Sequence, residues 1–412
     1  MGGNRRRGQR RQDSSVSTSS SSSSAAAPAK FLQNGGRKRR LGQPKSSSSA
    51  GTGNYANNQS SRNASQSSAD FISDAGRLFK RLFSACDGAS VSPTMGSMDA
   101  ADEGLRVRIK TVQESLSGLC VLSRVAGAKL HLLEKSPAAL LAVFRTFGRK
   151  PGALQSACDL VWSLAYNDPT AQGRFAQSHV CNCVLNCAKE HAKNKSMMKS
   201  AYGALSSLCR HNDNQNIAHK ERAHVSLLKV LDEEGYGDPV LTQYTLDAMA
   251  SMSHGHAKNA RMLLEAKAIP RVLKTIDKNA HSAEIVRSGC IVLVVLRECT
   301  GGSEMIVSGG AIRCVLKASR EHLEKYEMQH ILCALMGQLV REVPSAASLL
   351  VADAADPGRE HGATLLLGVL SRYPEHWLIS EACCLLVQAS ATLPLTCPQA
   401  GGVQGFQRHG PR

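Results

Sequence analysis

Leucine-bearing segments return along this chain every 43–45 residues, and a period of that length points to stacked helical units rather than to a single closed core. Ala157 and Leu164 precede Ala201 and Leu208 by 44 residues, and Met249 and Met252 follow Leu205 and Leu208 by the same interval. Leu293 and Leu296 come 44 further on, and Leu339 follows Leu296 by 43. A second apolar run keeps the beat, with Val180, Val225, Ile269 and Ile312 stepping by 45, 44 and 43. Weaker copies flank the series, "SLSGLCVLS" with "SPAALLAVF" before it and "EHGATLLLGVL" with "ISEACCLLVQAS" after it, behind an insertion around 353–360. Two helices joined by a polar break cannot bury their apolar faces alone, but stacked neighbours build one continuous core. The expected fold is an all-α helical solenoid of about six repeats between 105 and 392.

Composition suits that expectation. The chain is 42% hydrophobic but only 4% aromatic, so small and aliphatic residues supply the core volume. Residues 1–68 are Ser, Gly, Asn, Gln and Arg with few apolar side chains, and such a stretch buries too little surface to offset its ordering entropy. It is expected to be a disordered basic tail. Residues 1–100 carry 15 Lys/Arg against 5 Asp/Glu, more than half of the chain's net charge of +17. Two clusters stand out, "RRRGQRR" and the run Arg37, Lys38, Arg39 and Arg40, which suits a nuclear import signal or a phosphate-backbone contact. Within 69–104, "FISDAGRLFKRLF" has helical apolar spacing with charge opposite; it reads as an amphipathic capping helix followed by a linker. Residues 393–412 are expected to be a flexible tail.

The units resemble the armadillo-repeat family. "SAYGALSSLCRHNDNQ" is similar to the family's third helix, and "EAKAIPRVLKTI" and "SGGAIRCVLKAS" to the Gly/Ala-Ile start of its next unit. The resemblance covers about three quarters of the chain. It implies an armadillo-like solenoid that presents a binding groove, and it says little of what is bound. "WSLAY" is similar to the Trp-x-Leu-x-Asn motif with which importin-α-type receptors clamp basic peptides. Here the Trp position reads Trp162, Ser206, Ala250, Val294 and Gly337, and the Asn position Tyr166, Arg210, His254, Glu298 and Arg341. One Trp and no Asn remain, so that clamp is not expected. In the same register Trp162, Tyr166, Arg210, His254 and Arg341 would line the groove as a mixed aromatic and basic surface for an acidic or partly apolar peptide. The bland alternative has Trp162 and Tyr166 filling the core between repeats.

A narrower resemblance concerns the start of the repeats. "DAGRLFKRLF", "LRVRIKTVQESLSGLC" and "AGAKLHLLEKSPAALLAVF" are similar, in order, to a helix and two following segments of wings-apart-like cohesin regulators. Thr111 and "LEKSP" depart from that pattern.

The most metal-like string is "SHVCNCVLNCAKEH", offering His179, Cys181, Cys183, Cys187 and His191. It coincides with an apolar run and lacks paired Cys arms, so buried thiols are expected there. The start of the chain carries Arg and Ser where a secretory signal needs an apolar core, so the fourteen cysteines read as reduced. No run approaches the length of a membrane helix, and no Walker, G-x-S-x-G or H-E-x-x-H motif appears. The sequence therefore predicts no enzyme, no cofactor, no metal and no membrane partner. It predicts an interaction scaffold located in the nucleus, or in nucleus and cytoplasm. The alternatives are a wings-apart-like regulator of cohesin on chromatin and an adaptor that touches nucleic acid through its tail.

Overall fold

The computed structural model describes residues 59–87, 98–125, 127–233, 237–352 and 362–391. Among them every regular element is a helix. Three helices precede the regular units: α1 (Gln59–Asp87), α2 (Met98–Leu122) and α3 (Ala128–Thr146), followed by α4 (Pro151–Ala165). Three-helix units then follow: α5 (Pro169–Gln177), α6 (Val180–Glu190) and α7 (Lys195–Leu208); α8 (Asn212–Lys220), α9 (Ala223–Asp232) and α10 (Pro239–Ser253). Next come α11 (Ala257–Glu265), α12 (Ala268–Lys278) and α13 (Ala283–Arg297), then α14 (Gly302–Ser308), α15 (Ala311–Glu321) and α16 (Tyr326–Glu342). A 3₁₀ turn at Pro344–Ala346 leads to α17 (Ala347–Ala352), α18 (Gly362–Arg372) and α19 (Trp377–Ala391).

The period seen in the sequence is the period of the third helix. Leu164, Leu208, Met252, Leu296 and Leu339, on or just at the ends of those helices, are all 0% exposed. Each removes an aliphatic side chain from water, worth about 2 kcal/mol. α4, α7, α10, α13, α16 and α19 pack one on the next, and α2 continues that row ahead of α4. The second helices α6, α9, α12 and α15 form a parallel row. α1 lies on α2 and α3, burying Ala75, Phe79, Leu82 and Cys86 at three- and four-residue spacing. It covers the first unit, as a capping helix does, and it begins at Gln59, inside the segment expected to be tail. α2 starts at Met98, ahead of the 105 boundary.

Local signals set the helix ends. Asp168, Asn194 and Asp238 cap α5, α7 and α10, their side chains accepting from Ala171, Met197 and Leu241 amides at 2.9, 3.0 and 3.0 Å. Pro169 and Pro239 occupy the first turns that Asp168 and Asp238 cap. Between first and second helices the chain turns through one left-handed residue in four successive units: His179 (φ 61°), Arg222 (φ 51°), Lys267 (φ 56°) and Gly310 (φ 88°). Only Gly310 takes that conformation without Cβ strain.

Two expectations are corrected. The polar break inside each unit is not a loop: it forms a helix in its own right, α5, α8, α11 and α14, so the units have three helices and not two. And Val225, placed in the second apolar run, is 53% exposed. His224 takes the buried position instead, because the left-handed residue Arg222 starts α9 one residue earlier than the apolar spacing suggests.

Candidate functional site

The added helices are held by amides. Asn214 on α8 is 0% exposed and donates to the Leu208 and Gln172 carbonyls, both at 2.9 Å. Asn259 on α11 is also 0% exposed and donates to Met252 O at 2.7 Å and Gln215 O at 3.0 Å. Gln172 donates to Ala165 O at 2.8 Å, and Gln215 to Ser251 O and His254 O at 2.9 and 2.8 Å. Each bond satisfies a carbonyl at the end of a third helix or ties one first helix to the next. The ladder fixes the spacing at which the third helices present their outer face. It ends at α14, where Ser303 stands in the equivalent place and donates to Glu342, which also pairs with Arg297.

On that face Trp162 is half-buried. Its ring lies against Gly203 of α7, where a Cβ would come within 2.9 Å of Cε3. The ring meets Tyr244 of α10 edge-on, with centroids 5.0 Å apart at 75°. A missing side chain on the middle helix thus lets one aromatic span three successive third helices. Such an edge-to-face pair is worth about 1 kcal/mol beyond its buried area. Tyr166, 40% exposed, follows at the end of α4, and its carbonyl accepts from Lys129 Nζ at 3.2 Å.

Beyond the aromatics the face is charged and largely self-paired. Exposed Arg210 donates to Asn167 Oδ1 at 2.9 Å. Burial raises the Asp247 carboxyl above the ordinary carboxylate range, while Ser288, which donates to it at 2.6 Å, Arg287 and Arg210 pull it back. His254 is half-buried, and burial pushes its imidazole below the ordinary value; Glu298 opposes that shift and Arg210 adds to it. Arg341 is exposed at the end of α16, two units past His254.

The structure therefore gathers Trp162, Tyr166, Arg210 and His254 along consecutive third helices and leaves Arg341 further along the same row. Glu298 interrupts the row, so the face alternates in charge rather than being uniformly basic. Gly203 and Tyr244, which position and complete the aromatic pair, escaped the sequence reading; a glycine 41 residues past a tryptophan is the only trace they leave. The basic cluster Arg37, Lys38, Arg39 and Arg40 lies outside the described residues.

The metal-like string is divided among different neighbours. Cys187 pairs with Cys158 of α4, half-buried Cys183 stays near Cys187, Cys181 is buried near Cys183 and Cys209, and His191 Nε2 bonds Gly148 O at 3.0 Å. Burial raises the Cys181 thiol to about 12, so it stays protonated. Among the described residues no group of three or more His, Cys, Asp or Glu could hold a metal ion, and no helix is long and apolar enough to cross a membrane.

No family model and no curated protein matches the chain. Solved structures do. One, described as a phosphorylation switch controlling the interaction between cadherin and β-catenin, aligns with a TM-score of 0.53 at 15% identity, over 77% of this chain and 67% of that one. Two designed armadillo repeat proteins, one in complex with the peptide (KR)4, align at 13% and 14% identity with TM-scores of 0.47 and 0.48, each covering 63% of this chain and 99% of its own. With its three-helix units, continuous row of third helices and the β-catenin match, the chain has the armadillo-type fold of an α-helical solenoid.

Proposed function

We propose that this chain is a non-catalytic scaffold that binds a protein partner along the concave groove lined by its third helices, centred on α4, α7 and α10. The observation that carries the reading is the Trp162 ring laid across Gly203 to Tyr244. Half-exposed aromatics held rigid by their neighbours bury large area at little entropic cost, which is what binding hot spots require. Arg210 beside them suits a partner that follows an apolar anchor with an acidic side chain. The polar groups of this face are spread along a row and bonded to one another, with no nucleophile and base converging on a dry cavity. Placement in the nucleus by Arg37–Arg40, and contact of the basic tail with nucleic acid, are part of the proposal and rest on charge alone. The cohesin reading rests on the segments that form α1, α2 and α3, and recovery of cohesin subunits with the full chain tests it.

A photo-crosslinking side chain at Ser206, between Trp162 and Arg210, tests the central claim. It should capture a partner that the same group at Val225, on the second-helix row, does not. Capture from Val225 alone would refute the assignment of the face.

A further inference from the structure

The last two third helices bring two cysteines face to face. Cys333 of α16 and Cys383 of α19 are both buried, and their Sγ atoms lie 3.8 Å apart. The backbones are close at the same place. A Cβ added to Gly337, one turn beyond Cys333 on α16, would come 3.7 Å from the Cβ of Ala382, the residue before Cys383. Disulfide-bonded residues need about 3.5–4.5 Å between their Cβ atoms. The sulfurs must close from 3.8 Å to about 2 Å, a movement that side-chain rotation with a slight shift of α19 supplies.

A second thiol pair lies deeper in the stack. Cys158 of α4 and Cys187 of α6 hydrogen-bond to one another and are also buried, but α4 has α2 packed on one side and α7 on the other. The position of α19 is different. Among the described residues no third helix follows it, and α18 and α19 leave Leu367, Trp377 and Leu385 exposed. A unit with one neighbour opens at lower cost than a unit held from both sides. Solvent therefore reaches Cys383 when α19 lifts, while Cys158 and Cys187 stay covered. The two thiols of the outer pair are also unequal. Their mutual hydrogen bond, with burial, pushes the Cys333 thiol up, and the same bond pulls the Cys383 thiol down, so Cys383 is the first to become a thiolate.

We propose that Cys333 and Cys383 are a redox modification site, forming a reversible disulfide in the presence of hydrogen peroxide that staples the last unit to its neighbour. The Cys383 thiolate attacks the peroxide, becomes a sulfenic acid and releases hydroxide, which takes up the proton lost from Cys383. When α19 recloses, the Cys333 sulfur attacks the sulfenic sulfur, and its proton leaves with the hydroxyl as water. Two thiols lose two hydrogens, and one peroxide is reduced to two waters. The link would hold the end of the third-helix row that carries Arg341, whatever partner the groove binds.

The test uses the full chain, reduced, freed of reductant and treated with hydrogen peroxide. Remaining thiols are alkylated and the digest is mapped by mass. A peptide pair joining Cys333 to Cys383 should accumulate while Cys158 and Cys187 stay alkylated. Hydrogen exchange in α18 and α19 should slow at least about tenfold and stay unchanged in α8 to α10. Dithiothreitol should reverse both effects. Cys333→Ala and Cys383→Ala should each abolish the link and the slowing, whereas Cys384→Ala, at the exposed neighbouring thiol, should preserve both. The link itself is read in the unsubstituted chain, independent of how the variants fold. No link, Cys383 joined to Cys384 or another cysteine instead, Cys158 and Cys187 oxidised as fast, a sulfinic acid that dithiothreitol does not reverse, or a link without slower exchange would each overturn the assignment.

Discussion

Replacing Asn259 tests whether the first-helix amides hold the stack together. Its Nδ2 donates to Met252 O at 2.7 Å and Gln215 O at 3.0 Å, its Oδ1 lies 3.0 Å from His219 Nδ1, and no part of the residue is exposed. Asn259→Ala leaves the buried Met252 carbonyl without its donor and removes the tie to the Gln215 carbonyl, which keeps its bond within α8. An orphaned buried polar group costs about 1–3 kcal/mol, so the substitution should cost about 2 kcal/mol, with His219, half-exposed, free to turn to water. Volume and hydrogen bonding can be separated. Asn259→Leu restores bulk but no donor and should remain destabilised. Asn259→Asp keeps the shape but aims a carboxylate at two carbonyls, and should be the worst of the three. Urea unfolding followed by far-ultraviolet circular dichroism gives the midpoints. Because a repeat stack can open in pieces, hydrogen exchange across α8, α10 and α11 should show protection lost first there. Leu at this position matching the wild type would refute the idea that donors, rather than packing, fix the spacing of the units.

Other outcomes follow from single residues. Gly203→Ala places a Cβ 2.9 Å from the Trp162 ring; the ring should lift from Tyr244, change the near-ultraviolet aromatic signal and cost about 1 kcal/mol, and an unchanged signal would remove the Gly203 argument. Lys267→Gly relieves a left-handed residue at φ 56° and should raise the unfolding free energy by about 0.5 kcal/mol, read as a higher urea midpoint, once the glycine's extra chain entropy is subtracted; a fall would show that the strain is already compensated. Stability should decrease as pH drops through and below about 6.5, because burial lowers His224, His254, His256, His322 and His330. Their unfolded forms take up protons first, so this contribution is full above the unfolded value and lost as pH falls through the folded ones. Asp159 and Asp247, raised by burial, act in the opposite sense as acidity increases, and a urea midpoint that climbs from pH 7.5 to 6 would contradict the histidine account.

What the sequence made legible was the part of the fold written in aliphatic side chains. Third helices bury Leu, Met, Ile and Val at helical spacing, so their 44-residue recurrence stands out without any structure. The first helices do not advertise themselves that way. "NDNQNIAHK" looks like a loop because its buried face is Asn214, Gln215 and Ala218, and two of those three are polar. Its core is made of hydrogen bonds, which hydropathy does not register. The trace that survives is spacing: Asn214 and Asn259 stand 45 residues apart, six and seven residues past Leu208 and Met252. Cysteines followed the simple rule in part: Cys158, Cys209, Cys290, Cys333 and Cys383 are buried, but Cys183 is half-buried and Cys384, next to Cys383 in the sequence, is exposed. The misplacement of Val225 came from the same blind spot, since a buried histidine occupies the position that Ile269 and Ile312 take in the two following units. For the site, the sequence could name Trp162 because a tryptophan inside a recognisable motif is visible by itself. It could not name Tyr244, 82 residues away, because their meeting depends on two successive helix stackings and on Gly203 between them. A solenoid thus shows its periodic core in one dimension, while its binding face exists only across repeats, where the decisive residue is one that leaves space.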